Sequence, residues 1–219
     1  MNPSHRFFRN SATGWRNVAL SAVLGLAFLT VVGCGGGGSS PSAIATLGQV
    51  QGKVEARSRG GDPFAPAAGE VSLQAGGAVR TGEDGHGQVK YLDGTEVALS
   101  PETYYEVKEQ TTLGRQESGS GRYRVSPQKT TVEVETPHGV TAVLGTAFRL
   151  DVTATQTVVS LQEGKVRFTS PSRESVELTP GQQLTVTAGQ PLGQPAELDP
   201  ITLETLFNPG ARLPGINQR

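Results

Sequence analysis

One cysteine, one methionine and one tryptophan stand in 219 residues, and aromatic residues make up only 5% of the chain. A single thiol cannot close an intramolecular disulfide, so a small bridged scaffold is excluded and the core alone must hold the fold. Lys and Arg number 19 against 20 Asp and Glu. No surplus of positive charge marks a nucleic-acid surface. The motifs of common catalytic sites are missing as well: there is no G-x-S-x-G elbow, no H-E-x-x-H, no phosphate-cradling loop before a helix and no calcium loop. Nothing in the central region repeats with the period of a helix.

The cysteine sits in a telling place. A basic, acid-free opening with Arg6, Arg9 and Arg16 leads into the apolar run Val18–Val32, "VALSAVLGLAFLTVV". Positive start, apolar middle and small residues at the end make a secretory signal segment. As a helix this run would rise only about 22 Å, short of the ~30 Å hydrocarbon core of a bilayer. Its end, Val31-Val32-Gly33-Cys34, looks like the lipobox of bacterial lipoproteins. That resemblance implies cleavage before Cys34 and lipidation of its sulfur, with residues 1–33 as signal peptide. Two or more acyl chains anchor a protein stably where one does not. Loss of the three arginines takes the 19 basic side chains to 16 against 20 acidic ones, a net charge of −4. Residues 34–46, beginning "CGGGGSSPS", read as a flexible tether.

From 47 to 188 the chain reads as β. Val97 and Leu99 alternate with polar neighbours, as do Tyr105 and Val107, Val132 and Val134, Phe148, Leu150 and Val152, Val166 and Phe168, and Val176 and Leu178. A period of two means strands with one buried face. Turn signals separate them: Asp84-Gly85, Asp93-Gly94, "PHG" at 137–139, Glu163-Gly164 and Pro180-Gly181. Many short strands at this spacing predict an all-β domain, a sandwich or a solenoid-like stack. Two pieces are alike: "GQVQGKVEA" (48–56) and "LQEGKVRFT" (161–169), each followed by a leucine, two residues and a glycine. The Gly/Ser-rich, charged stretch 112–125, "TLGRQESGSGRYRV", reads as a loop. The Pro-rich tail 189–219 contains "DPITLETLF", a short helix with Asp199 as N-cap and Pro200 at the first helical position, whose Ile201, Leu203, Leu206 and Phe207 would dock on the domain.

Six motifs in order carry a resemblance: "GQVQGKV", "LQAGGAVRTG", "YLDGTEVALSPET", "TPHGVTAVLGTAFRLDV", "LQEGKVRF" and "LTPGQQLTV". Across Leu47–Val186 the chain resembles the FecR domain family. The glycines of these motifs, Gly82, Gly94, Gly139, Gly164 and Gly181, read as turn residues, and Gly145-Thr146 as a bend where backbones approach closely. The family's best-known members are transmembrane regulators. In them a cytoplasmic region engages a sigma factor and the periplasmic domain senses a TonB-dependent receptor. This sequence departs from that plan, because only seventeen residues precede the apolar run and the run ends in a lipobox. The resemblance therefore implies a lipid-anchored, non-enzymatic envelope module that binds a protein or glycan. An accessory role in such signalling and, less favoured, an envelope enzyme are the alternatives.

The chemistry-bearing residues are few. His86, in "GEDGHGQ", neighbours Asp84 and precedes Asp93, but a metal site needs three or four converging ligands, and a solvated turn accounts for these residues. His138 belongs to a turn before a strand. Neither a metal nor a cofactor is expected. Arg122, Tyr123 and Arg124 form a small basic–aromatic cluster, and Tyr104 and Tyr105 point to opposite faces of one strand, so that Tyr104 joins the cluster as a candidate binding residue. An unpaired edge strand that takes up a partner's strand is an equal possibility at this level.

Overall fold

Period-two patterning turns almost every segment of this chain into a strand with one face to pack. The computed structural model describes residues 42–109 and 111–208. The signal segment, Cys34, most of the tether and the last eleven residues of the tail lie outside the described residues. Seventeen strands and one helix form among the described residues. In chain order they begin with β1 (Ala45–Gln51), β2 (Val54–Arg57), β3 (Ala65–Pro66), β4 (Val71–Leu73), β5 (Ala78–Thr81) and β6 (His86–Tyr91). Next come β7 (Glu96–Leu99), β8 (Tyr104–Val107), β9 (Thr112–Arg124), β10 (Val132–Thr136), β11 (Gly139–Val143) and β12 (Ala147–Val152). The rest are β13 (Gln156–Glu163), β14 (Val166–Thr169), β15 (Ser175–Leu178), β16 (Gln182–Thr187), β17 (Ala196–Glu197) and α1 (Pro200–Phe207).

Pairing sorts the strands into two sheets. The first has the order β4-β1-β6-β7-β9-β12-β13-β16-β17. The second runs β3-β2-β5-β8-β9-β10-β11-β14-β15. Every pair is antiparallel except β9–β10. Strand β9 belongs to both, so one continuous hydrogen-bonded sheet folds back on itself as a sandwich. The all-β expectation holds, and of its two forms the sandwich is the one observed.

The two look-alike segments occupy matching places. "GQVQGKVEA" supplies the end of β1, the crossing at Gly52 and β2; "LQEGKVRFT" supplies the end of β13, the crossing at Gly164 and β14. Both carry the chain from the first sheet to the second, and both lie one strand inside the edge formed by β4 and β3 or by β16 and β15, setting the short β17 aside. Gly52 has φ +65° and Gly164 φ +91°. A side chain at either would collide with backbone: a Cβ at Gly52 would lie 2.1 Å from the Asp84 carbonyl oxygen. The repeated Gly-Lys-Val is thus the mark of a repeated crossing.

The expectation of a loop at 112–125 is overturned. That stretch is the longest strand, β9, and it is central in both sheets. Its first part pairs with β8 and β10, its second with β7 and β12. The change of sheet falls at Gly119, φ +82°, where a Cβ would stand 2.3 Å from Thr103 Oγ1. Periodicity concealed the strand because, Leu113 apart, its buried positions are Gly114, Gln116, Gly121 and Tyr123, not aliphatic residues. The glycines make room: a Cβ at Gly114 would meet Tyr105 Oη at 2.2 Å and one at Gly121 would meet Gln116 Oε1 at 2.6 Å.

Those neighbours form the polar centre of the core. Tyr105, Tyr123 and Gln116 are 0–2% exposed. Tyr105 Oη donates to Tyr91 Oη (2.7 Å), which donates to the Leu113 carbonyl (2.7 Å). Tyr123 Oη donates to Gln116 Oε1 at 2.7 Å, and Gln116 Nε2 donates to the carbonyls of Gly119 (2.8 Å) and Leu150 (3.3 Å). Tyr123 stacks on Phe148 at 4.7 Å and meets Tyr105 edge-on at 6.2 Å. Around this centre Leu47, Leu73, Leu161, Phe168, Leu178 and Leu184 are fully buried, each contributing about 1.5–3 kcal/mol relative to exposure.

Replacement of Gln116 by Leu leaves the buried Tyr123 hydroxyl without its acceptor and removes the amide bonds to the Gly119 and Leu150 carbonyls. It is expected to cost roughly 2–4 kcal/mol, read as a lower denaturant midpoint, whereas Ser118→Ala at the half-exposed strand surface changes little. Burial also pushes the phenols of Tyr91, Tyr105 and Tyr123 well above their usual range. An acid whose folded value is raised is favoured in its neutral form by folding. Stability from these groups is therefore complete below about pH 10 and declines as the pH rises beyond it. Phenolate absorbance of the three should appear together with unfolding; earlier ionisation in the native state would contradict the burial.

Candidate functional site

The four residues nominated from sequence do not converge. Tyr104 stands on the outer face of the second sheet, opposite Arg80, which in turn faces Glu55. Phe64, from the β2–β3 connection, packs edge-on against Tyr104 with ring centres 6.1 Å apart. The Arg80 guanidinium lies 4.4 Å from the centre of the Phe64 ring and that of Arg57 5.3 Å. Ion pairs hold both arginines flat against the sheet: Arg80 Nε to Glu55 at 2.8 Å and Arg57 Nη2 to Glu106 at 3.2 Å. The hydrogen bond from Arg80 keeps the Glu55 carboxyl below the usual carboxylate range. Phe64 was missed in sequence because it lies in a short "DPFAP" segment without alternation.

Tyr123 is no surface residue. At 2% exposure it belongs to the core just described, because its strand turns that position inward. Arg122 and Arg124 point the other way, onto the outer face of the first sheet. There Arg122 Nη1 donates to the Phe207 carbonyl at 2.8 Å, and Arg149 Nη1 donates to the Leu206 carbonyl at 3.4 Å. These are the free carbonyls at the C-terminal end of α1, a helix with no basic residue in its own last turn. Burial, and secondarily the charge of Arg149, lowers the pKa of Arg122. Asp199 caps the other end, accepting from the amides of Ile201 (3.0 Å) and Thr202 (2.9 Å). Of the four residues expected to dock, only Phe207 is buried, and Ile201 is 61% exposed. The helix is held chiefly by one side chain and two guanidinium groups.

The edges of the sandwich are poorly suited to strand addition. β3 and β17 have two residues, β4 has three, Pro66 occupies β3, and the fourth edge, β15, has four residues. Short, proline-bearing edges discourage pairing with another chain.

A cleft of about 470 Å³ opens at one end of the sandwich, between the β10–β11 turn, the β14–β15 turn and the chain after β16. His138 lines it and is nonetheless only 6% exposed. Thr136 Oγ1 donates to the Gly139 carbonyl (3.0 Å), and Thr157 Oγ1 donates to Thr136 Oγ1 (3.2 Å). With its proton so used, Thr157 Oγ1 must accept from His138 Nδ1, 2.9 Å away. In the neutral ring this sets the proton on Nδ1 and leaves the lone pair on Nε2. His138 does lie in a turn, as expected, but a buried one, because the Gly139 backbone has φ +151° and sits where a Cβ would strike Phe168. His86, by contrast, is exposed at the start of β6. Among the described residues no three His, Cys, Asp or Glu side chains are placed to hold a metal ion.

Residues 77–167 match the family model described as FecR protein. This region is a FecR domain. Two crystal structures of a proposed anti-sigma factor from Parabacteroides distasonis ATCC 8503 share the fold, at 22% identity and a TM-score of 0.51. The alignment covers 56% of this chain and 60% of that protein, so the match spans less than two thirds of that protein's length. No curated protein matches the chain. No helix among the described residues is long and apolar enough to cross a membrane.

The FecR domain includes Arg80, Tyr104, Arg122 and His138, whereas Phe64, Glu174 and α1 lie outside the matched residues. Each surface feature is therefore completed by flanking chain. In nitrogen-detected NMR of the neutral ring, His138 is expected to carry its proton on Nδ1. Thr157→Val, which removes the acceptor, should shift that balance toward Nε2; an Nε2–H ring in the unmodified protein would refute the hydroxyl relay.

Proposed function

We propose that this chain is an exported, lipid-anchored FecR-domain protein that binds another component of the cell envelope and has no catalytic activity of its own. The observation that carries the reading is the Phe64–Arg80–Tyr104 stack on the open face of the second sheet. Aromatic rings and arginine are the side chains most often found at binding hot spots, and here their rotamers are already restrained, which lowers the entropy lost on docking. Around the stack the face alternates in charge, with Glu55, Arg57, Glu106, Lys108, Arg115 and Glu135. A flat, charge-patterned face suits a protein partner of complementary pattern better than a glycan. Tyr104 is retained as a binding residue. Arg124, exposed, remains available on the opposite face, while Arg122 serves α1.

Anchoring at Cys34 places this face outside the cytosol. In the second reading the module contacts a TonB-dependent receptor and acts on a separate transmembrane regulator of a sigma factor. The FecR domain and the fold shared with a proposed anti-sigma factor support that reading.

Cross-linking in intact cells, with a fatty-acid analogue as metabolic label, tests both parts. The chain should take up label through Cys34 and capture an envelope protein, and capture should fall at least about tenfold in Phe64→Ala/Arg80→Glu. Capture that persists in that double variant and in Cys34→Ala would refute the binding face and the anchor. Deletion of the gene separates the two readings: the signalling role requires a changed set of sigma-dependent transcripts.

A further inference from the structure

The cleft at His138 has no part in the face proposed above, yet it is built as a site. The Thr136–Thr157 hydroxyl relay occupies Nδ1, and among the described residues nothing bonds Nε2. A 94% buried imidazole lining a cleft with a lone pair unspent is a waiting acceptor. The second polar group is Glu174. Its Oε2 accepts from Ser172 Oγ (3.2 Å) and from the Leu192 amide (3.3 Å), which orients the carboxylate and leaves Oε1 without a partner among the described residues. No described lysine or arginine pairs with Glu174, and none lines the cleft. Pro137, Pro171, Pro191 and Val186 give the cleft an aliphatic wall beside the polar Ser170, Ser172, Thr187 and Gln190, and no Phe, Tyr or Trp lines it.

Two acceptors, one negative charge and a greasy wall without a stacking platform define the ligand. We infer that this cleft binds a primary alkylammonium group, its N–H donors shared between His138 Nε2 and the Glu174 carboxylate and its aliphatic stem packed on the prolines. An anion is disfavoured by Glu174. A sugar ring lacks the aromatic face on which such rings usually rest. The group can arrive on a lysine side chain of a partner protein or on a free diamine, and the chemistry of recognition is the same for both.

The full chain carrying Cys34→Ser is titrated with Nα-acetyl-lysine methylamide, with cadaverine and with the Nε-acetylated lysine analogue, while the His138 ring signals are followed by NMR. Saturable shifts of those signals by one or both amines, with none from the acetylated analogue, are expected. Response to the lysine amide alone identifies a protein side chain as the source, and response to cadaverine alone a free diamine. Glu174→Gln, at an exposed position that leaves the core untouched, should weaken binding about tenfold. Absence of any shift, equal binding of the acetylated analogue, or undiminished binding by Glu174→Gln would overturn the assignment. None of these outcomes bears on the Phe64–Tyr104 face.

Discussion

The whole sandwich hangs on one strand that must satisfy two sheets at once. Between Thr112 and Arg124 the chain is central in the second sheet, bends at Gly119, and becomes central in the first. What fixes the bend is a buried exchange of hydrogen bonds. Gln116, from the half in one sheet, accepts from Tyr123 in the other half and donates across the core to Leu150. A buried amide is costly unless its partners are in place. Here Gln116 belongs to the second-sheet half of β9 while Tyr123 and Leu150 belong to the first sheet, so the network is complete only when both sheets are in register. The same requirement explains the glycines along β9, whose missing side chains are the space that Tyr105 and Gln116 fill.

With the inward face of β9 committed to the core, its outward face becomes the chemistry of two surfaces. Arg115 and Glu117 join the charge lattice of the second sheet, and Arg122 reaches the end of α1 on the first. The aromatic stack at Phe64 and the helix at Phe207 are both flanking segments fastened to the FecR domain by arginines. Cation and ring, or guanidinium and helix carbonyl, substitute for apolar area where a segment is too short to bury much of it.

Much of the fold was legible in residues. Val97, Leu99, Val132, Val134, Leu150 and Phe168 announce inward faces by alternation alone, and all are buried. The helix at 200–207 follows from Asp199-Pro200, since capping is a local interaction. Where local cues failed, long-range contacts were responsible. Tyr123 beside two arginines has the composition of a surface cluster, and only the strand's pairing turns it inward against Phe148. Ile201 has the character of a docking residue, but the helix is held from its C-terminal end and faces it to solvent. Phe64 acquires a partner only because β2, β5 and β8 bring Arg57, Arg80 and Tyr104 to one patch.

By itself the sequence determined which alternating runs become strands, which of their faces are buried and where turns fall, since these depend on side-chain period and on backbone torsions set within a few residues. Tertiary structure alone decided that the Gly/Ser-rich segment is the central strand, that the turn holding His138 is buried, and that the nominated binding residues separate onto opposite faces. Those outcomes depend on hydrogen bonds between residues nineteen or more positions apart, such as His138 to Thr157 and Gln116 to Leu150. No local pattern encodes such partners, because each group's environment exists only after the two sheets have closed on each other.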